Sequence, residues 1–127
     1  MAIRFFRCRH CGNLVEKSID SGVPLVCCGE EMEELTANVN ETGSEKHLPV
    51  VTFIDDYSRL HVKVGSTAHP MLPEHHISFI ALETEHGIQR INLTDKPEAV
   101  FCLSGEIPIA VYEYCNIHGL WKTVVSF

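Results

Sequence analysis

The sequence predicts an all-β protein in two parts: a small N-terminal domain stapled by a metal ion, and a seven-stranded antiparallel β-sandwich. Two observations favour this fold class. Four of the six cysteines fall within the first 28 residues, where apolar residues are sparse. Farther along the chain, short runs rich in Val, Ile, Phe and Tyr alternate with turn-forming residues, which is typical of strands. No long amphipathic helix is predicted.

Composition limits the classes of protein that the chain can represent. Its 127 residues suffice for one modest core, and a hydrophobic content of 45% indicates a folded chain. The net charge of -7 argues against a nucleic-acid partner, because such proteins cluster Lys and Arg. Residues 1–7 contain no apolar core of signal-peptide length, and no apolar run approaches the roughly 20 residues that span a bilayer. We therefore expect a soluble cytoplasmic protein with no membrane partner.

The N-terminal domain is predicted over residues 1–36. So small a segment cannot fold on its apolar residues alone and needs a staple. A bound metal supplies one, because the binding energy of a structural site is largely folding energy. Without a secretion signal, these thiols are more typical of metal binding than of disulfides. The segment 37–44 is turn-rich and lacks periodicity, so it is predicted to be a linker.

Residues 45–127 are predicted to form the sandwich. Polar and apolar residues alternate along 59–64, as expected of a strand with one face in water. Turn-forming residues separate the apolar runs at 55–58, 85–87 and 104–106. Seven short strands in such a segment favour a sandwich of immunoglobulin type. The predicted strands are 50–55, 59–64, 77–84, 87–92, 99–103, 107–114 and 120–126.

A first metal site is predicted from four cysteines, Cys8, Cys11, Cys27 and Cys28. The Cys8-x-x-Cys11 turn brings two sulfurs to one side, and four thiolates suit a tetrahedral ion. Adjacent side chains of a strand face opposite ways, so Cys27 and Cys28 reach one ion only if the backbone bends, which Gly29 favours. This sulfur set fits a redox iron, the favoured interpretation, or a structural zinc. A Cys27–Cys28 disulfide is a third alternative, and it would be strained.

A second metal site is predicted in the loops of the sandwich, where rigid folds display functional residues. Its donors lie just outside the predicted strands and are His47, His69, His75, Cys115 and His118. Imidazoles with one thiolate suit iron, copper or zinc, and five donors exceed the closed tetrahedron of a structural zinc. A five-coordinate ion with one free position is reactive.

The remaining histidines and the sixth cysteine are interpreted as non-ligands. An isolated histidine is more often a surface or packing residue, which is our expectation for His10, His61, His76 and His86. Cys102 lies inside an apolar run and is expected to be a small buried hydrophobic residue.

These motifs resemble the desulfoferrodoxins, a family of two-iron superoxide reductases, and the resemblance covers essentially the whole chain. The four N-terminal cysteines are similar to the family's desulforedoxin-type iron site. Other segments are similar to its catalytic site in order and spacing. They are Glu45-Lys46-His47-x-Pro49, Gly65-Ser66, His69-Pro70-Met71, His75 and Cys115-Asn116-x-His118-Gly119-x-Trp121.

The resemblance implies a desulforedoxin-like iron domain at residues 1–36, an immunoglobulin-like superoxide reductase domain at 45–127, and a homodimer. It implies two iron ions per chain, the first bound by the four cysteines. The second is implied to have His47, His69, His75 and His118 as equatorial ligands and Cys115 as the axial ligand. The family's first site is dispensable for catalysis in some members and absent from others.

The reaction implied by the resemblance is one-electron reduction of superoxide to hydrogen peroxide at a ferrous centre with an open axial position, in oxidative-stress defence. A rubredoxin-like protein is the expected electron donor. Because the chain is net negative and the substrate is an anion, a local cation is needed. Lys46 is best placed to attract superoxide and to hold a proton-donating water, and Lys122 is a weaker candidate. Glu45 is expected to occupy the sixth position in the resting ferric state and to leave when substrate arrives.

Three rival functions are compatible with the residues alone. An electron carrier would have a closed second site, whereas a reductase binds cyanide or azide when oxidised. A zinc-stapled binding module would be colourless, whereas ferric–thiolate centres absorb visible light. A superoxide dismutase would release oxygen as well as hydrogen peroxide.

Overall fold

The chain that the structure describes is built of strands joined by turns and irregular segments, as the sequence predicts. The computed structural model describes residues 3–39 and 47–126. Within these ranges the regular elements are all β-strands, and no helix is long and apolar enough to cross a membrane. The chain divides into two compact units, Met1–Thr36 and Ala37–Phe127.

The N-terminal unit consists of five short strands and a small core. Three of them form an antiparallel sheet in the order β2-β1-β5, and β3 pairs with β4 in a hairpin. Buried apolar side chains include Ile3, Phe5 and Phe6. The strands are β1 (Phe5–Arg7), β2 (Leu14–Glu16), β3 (Val26–Cys27), β4 (Glu30–Glu31) and β5 (Glu33–Glu34). So few buried side chains agree with the expectation that this unit needs a staple.

The second unit is a sandwich of seven antiparallel strands. One sheet has the order β10-β7-β6 and the other β12-β11-β8-β9. Counted from the start of this unit, the first, second and fifth strands form one sheet, and the third, sixth and seventh belong to the other. This division is the same as in immunoglobulin sandwiches. The fourth strand joins the second sheet. The strands are β6 (Pro49–Ile54), β7 (Arg59–Val64), β8 (Ile77–Thr84), β9 (Ile88–Asn92), β10 (Glu98–Cys102), β11 (Pro108–Cys115) and β12 (Gly119–Val124). The prediction of seven strands is confirmed.

The core of the sandwich lies between its two sheets. Strand β7 alternates as predicted, with Leu60, Val62 and Val64 fully buried. They belong to one apolar cluster with Leu82 of β8 and Val111 of β11. Burying each such side chain contributes roughly 1.5–3 kcal/mol. This core fixes the strand ends on which the second group of predicted ligands is carried.

The prediction that Cys102 is buried is wrong. Strand β10 alternates, with Ala99 and Phe101 buried and Cys102 exposed to solvent. Its sulfur lies 3.3 Å from the hydroxyl oxygen of Ser104. The apolar run around this cysteine indicates a strand but does not show which face of the sheet the cysteine lies on, because successive side chains of a strand point in opposite directions.

The predicted linker begins inside the second unit. The amide of Asn38 donates to the carbonyl of Leu120, and its carbonyl accepts from the amide of Lys122, so this residue pairs alongside β12. Residues 37–39 therefore have a defined place beside the sandwich, and residues 40–44 lie outside the described part of the chain.

Candidate metal centres

The four N-terminal cysteines form one group in the first unit. Their sulfurs all lie within 4.8 Å of one another. The sulfurs of Cys11 and Cys27 are 3.6 Å apart, and those of Cys27 and Cys28 are 4.0 Å apart. All four cysteines are free, so the disulfide alternative is excluded for the described structure, in which no sulfurs approach the bond length of about 2.05 Å. Cys8 is buried, whereas Cys11 and Cys28 are exposed.

The bend predicted at the adjacent cysteines is confirmed. Cys28 and Gly29 have φ angles of 54° and 76° between the paired residues Cys27 and Glu30. Positive φ at both central residues is the condition for a type I′ hairpin turn. A side chain in this region costs about 1–2 kcal/mol. The turn places the two adjacent sulfurs on one side of the hairpin, at the expense of strain in Cys28.

Polar groups around these sulfurs favour a bound cation. The amide of Cys11 donates to the sulfur of Cys8 over 3.5 Å, and this bond lowers the pKa of Cys8 to about 6. By contrast, the sulfur of Cys11, followed by those of Cys8 and Cys27, raises the pKa of Cys28 to about 12. Four thiolates so close together therefore need a positive charge between them, which a tetrahedral metal ion supplies.

Ion pairs tie the Cys8–Cys11 turn to the segment after Cys28. Arg9 lies 3.2 Å from Glu30 and 3.3 Å from Glu33, and Nε2 of His10 lies 3.1 Å from Glu30. These groups are exposed, so each pair contributes little to stability. His10 is thus a surface residue and not a metal ligand, as expected from the sequence.

The five donors predicted for the second site also form one group. Their ligand atoms lie within 4.8 Å of one another, although they come from four places in the chain. His47 precedes β6, His69 and His75 lie between β7 and β8, Cys115 ends β11, and His118 precedes β12. Strand pairing in the core brings these ends together, since Cys115 is paired with Ile77 and with Gly119.

The four imidazole rings form a closed cycle. Ring centroids are 5.0 Å apart for His47 and His69, 4.7 Å for His69 and His75, 5.1 Å for His75 and His118, and 4.6 Å for His118 and His47. The sulfur of Cys115 lies 3.7 Å from both Nε2 of His69 and Nδ1 of His118, which are not neighbours in this cycle. The arrangement would let four imidazole nitrogens and one sulfur hold a single ion.

Burial and hydrogen bonding prepare these donors for a metal. The Nδ1 of His69 lies 2.8 Å from the carbonyl of Pro70, which leaves Nε2 free to bind a metal. Burial lowers the pKa of His69, which favours the neutral ligand form, and burial raises the pKa of the Cys115 thiol. Nε2 of His75 is buried and has no hydrogen-bond partner in the described residues. An unsatisfied buried group costs about 1–3 kcal/mol, and a metal ion would satisfy it.

Trp121 holds two of these ligands, a role that the sequence did not indicate. Its indole stacks on the ring of His47 with centroids 4.8 Å apart and an interplanar angle of 14°. Its Nε1–H donates to the carbonyl of His118 over 3.1 Å. The amide of His118 in turn donates to the sulfur of Cys115 over 3.4 Å. One side chain therefore joins ligands that are far apart in the chain.

Three further site residues were predicted, namely Glu45, Lys46 and Lys122. Glu45 and Lys46 are outside the described residues. The weaker candidate Lys122 points away from the centre: it pairs with Tyr112 across the strands, its Nζ lies 5.4 Å from that ring, and Trp121 occupies the opposite face of β12. The non-ligand histidines belong to neither described donor group, and they are His10, His61, His76 and His86.

Comparison with known proteins agrees with this geometry. The desulfoferrodoxin family model matches residues 39–124, and the model of the desulfoferrodoxin N-terminal domain matches residues 2–35. A desulfoferrodoxin of Syntrophotalea carbinolica is 42% identical over 123 residues, covering 95% of each chain. A superoxide reductase of Thermococcus kodakarensis is 37% identical over 100 residues, covering 65% of this chain and 87% of its own.

A solved structure supports the same relationship. The superoxide reductase of Treponema pallidum has a TM-score of 0.81 and 32% identity, covering 96% of this chain and 98% of its own. Fold and donor sets define a two-centre β-metalloprotein, with one tetrahedral sulfur centre and one centre of four imidazoles and a thiolate. The chain belongs to the desulfoferrodoxin family. Its two donor groups match the two iron centres of that family, so iron is the metal of both sites.

Proposed function

We propose that the chain is a superoxide reductase, which uses one electron and two protons to convert superoxide into hydrogen peroxide. The observation that carries this proposal is the donor group of four imidazoles and one buried thiolate, which leaves one position free on a six-coordinate ion. Its relatives named superoxide reductase support the same reaction. When bound, iron supplies the electron and the vacant position.

The chain's own residues set the character of this centre. Cys115 would hold the iron through a thiolate, and a thiolate ligand would supply electron density to the ion. The amide of His118 holds that sulfur at a fixed distance, and Trp121 fixes the ring of His47. Donors fixed in this way would keep their places when a bound iron changes its charge.

An experiment on the reduced protein tests the reaction. Superoxide generated by pulse radiolysis should disappear at a rate proportional to protein concentration, while the second centre becomes oxidised. Cyanide or azide should then bind to the oxidised centre and change its absorption. Oxidation of the second centre without binding of cyanide or azide would favour the electron carrier with a closed site. If neither oxidation by superoxide nor anion binding is observed, the proposed reaction is excluded.

Lys46 is proposed to attract the substrate and to hold a water that delivers a proton. The protein carries a net charge of -7, so an anionic substrate is repelled unless a local field overrides this charge. Lys46 is the immediate neighbour of His47 in the sequence. Glu45, one residue earlier, is proposed to occupy the sixth position of the resting ferric ion and to leave when superoxide arrives.

Replacing Lys46 with alanine should slow association with superoxide by about 10-fold at low salt, because steering fields change association rates by about 10–10³-fold. The dependence of the rate on ionic strength should weaken as well. Pulse radiolysis at several salt concentrations measures both. Lys122→Ala is the matched control, since it removes the same charge from a side chain that lies over Tyr112 on the other face of β12. Equal rates and salt slopes in the two variants would refute the steering role.

The remaining assignments concern domains, location and partners. We propose a desulforedoxin-like iron domain at residues 1–36 and a catalytic immunoglobulin-like domain at 45–127, to whose compact unit residues 37–39 also belong. The family relationship supports a homodimer that works in the cytoplasm in oxidative-stress defence and receives electrons from a rubredoxin-like protein. Analytical ultracentrifugation tests the dimer, and reduction of the chain by purified rubredoxin tests the donor.

A further inference from the structure

The side chain of Asn116 joins the turn between Cys115 and His118 to the loop that carries His69 and His75. This residue lies between Cys115 and His118 in the turn before β12. Its Nδ2–H donates to the carbonyl of Glu74 over 3.0 Å, and its Oδ1 accepts from the amide of His76 over 2.8 Å. The residues joined by these two bonds are 42 and 40 positions apart in the sequence.

These two bonds flank the ligand His75 on both sides in the chain. A third bond runs from the amide of Asn116 to the carbonyl of His76 over 3.2 Å. Cys115 pairs with Ile77 as the last pair of the β8–β11 ladder, so the side-chain amide of Asn116 continues that ladder in place of a peptide group. Fixing the peptide groups before and after a residue fixes the direction in which its side chain leaves the backbone.

The local turn of His75 does not provide this fixation by itself. The amide of His75 donates to the carbonyl of Leu72, and the amide of Leu72 donates to the carbonyl of His75. These two bonds close a tight turn and define its shape, but they do not connect it to the turn that carries Cys115 and His118. In the described residues, the side-chain bonds from the opposite ligand loop to this turn are those of Asn116, to Glu74 and His76.

We propose that Asn116 is a positioning residue that locks the His75 turn onto the Cys115–His118 turn, so that His75 stands in the metal position before the metal binds. The ring of His75 agrees with this, because its Nε2 stays buried without a hydrogen-bond partner in the described residues. A mobile ring would turn to find water or a protein acceptor. The inference rests on the metal centre of the proposed function and does not require that superoxide is the substrate.

Asn116→Ala removes both side-chain bonds, and Asn116→Asp keeps the acceptor for His76 while replacing the donor to Glu74 with a carboxylate oxygen. Both variants should release iron from the second centre about 10–100-fold faster into a chelator, as expected when a group that orients a ligand is lost. Hydrogen exchange of the His76 amide should also accelerate in the metal-free alanine variant. Asn92→Ala is the matched control, because among the described residues that side chain accepts only from Arg90 of the same strand.

The first iron centre is an internal reference in the same molecule. Its iron has a different ligand geometry, so electron paramagnetic resonance follows the two centres separately. Unchanged release from the first centre, together with faster release from the second, supports the positioning role. Unchanged release from the second centre would overturn it, as would an equal acceleration at both centres, which indicates general destabilisation. If the unsubstituted protein fails to turn over superoxide while the Asn116 variants release iron faster, the positioning role stands and the proposed function does not.

Discussion

Replacing Cys115 with serine is expected to abolish the visible thiolate-to-iron absorption of the second centre and to slow superoxide reduction at least about 100-fold. Loss of an outer group that merely orients a ligand costs up to about 100-fold, and removal of a ligand should cost no less. Cys115 is fully buried, accepts the amide of His118, and lies 3.7 Å from two of the histidine ligand atoms. A serine hydroxyl fits the same space but is a far poorer electron donor than a thiolate.

Absorption spectroscopy of the iron-loaded variant and pulse radiolysis measure the two effects. Cys102→Ser is the matched control, because Cys102 is exposed and belongs to neither donor group. The control should keep both absorption and rate. Persistence of the visible band of the second centre in the Cys115 variant would show that sulfur is not a ligand there.

Replacing Cys28 with serine is expected to remove the first iron and unfold the N-terminal unit, while chemically reduced protein keeps its rate with superoxide within about 2-fold. The unit has a small core and depends on its metal, and structural sites of this kind contribute on the order of 10 kcal/mol to folding, by comparison with zinc. The second unit has its own apolar core and its own donors. Additivity of independent sites predicts that it is little affected.

Circular dichroism, iron content and pulse radiolysis with a chemical reductant measure these outcomes. Cys102→Ser again supplies the control, with two irons and an intact N-terminal unit. Loss of superoxide reduction in the chemically reduced Cys28 variant would show that the first centre takes part in the reaction. Retention of two irons would show that Cys28 is not a ligand.

The strands and the ligand groups could be predicted because both depend on local chemistry. The alternation in β7 and the apolar runs of β8 and β11 mark strands wherever they occur. A cysteine at the end of β11 and histidines in the loops are unusual enough to mark a metal site, and the resemblance to a family specified their grouping. The fold class thus followed from short segments, and the donor sets followed from such segments together with the family resemblance.

Features that depend on the facing of a strand or on distant contacts could not be predicted. The apolar run around Cys102 did not reveal that the cysteine faces solvent, and sequence proximity to the second site did not reveal that Lys122 faces Tyr112. The bonds from Asn116 to the His75 turn cross about 40 residues, and no local pattern indicates them. The stacking of Trp121 on His47 could not be predicted either, because the two residues are far apart in the sequence.

The yields of oxygen and hydrogen peroxide test the central claim most directly. Superoxide is supplied to the protein in the presence of excess reductant, and both products are measured for each superoxide consumed. If the centre of four imidazoles and one thiolate reduces superoxide, each superoxide consumed should give one hydrogen peroxide, and no oxygen should be released. Release of one oxygen for every two superoxide ions consumed would show dismutation and contradict the assignment as a reductase.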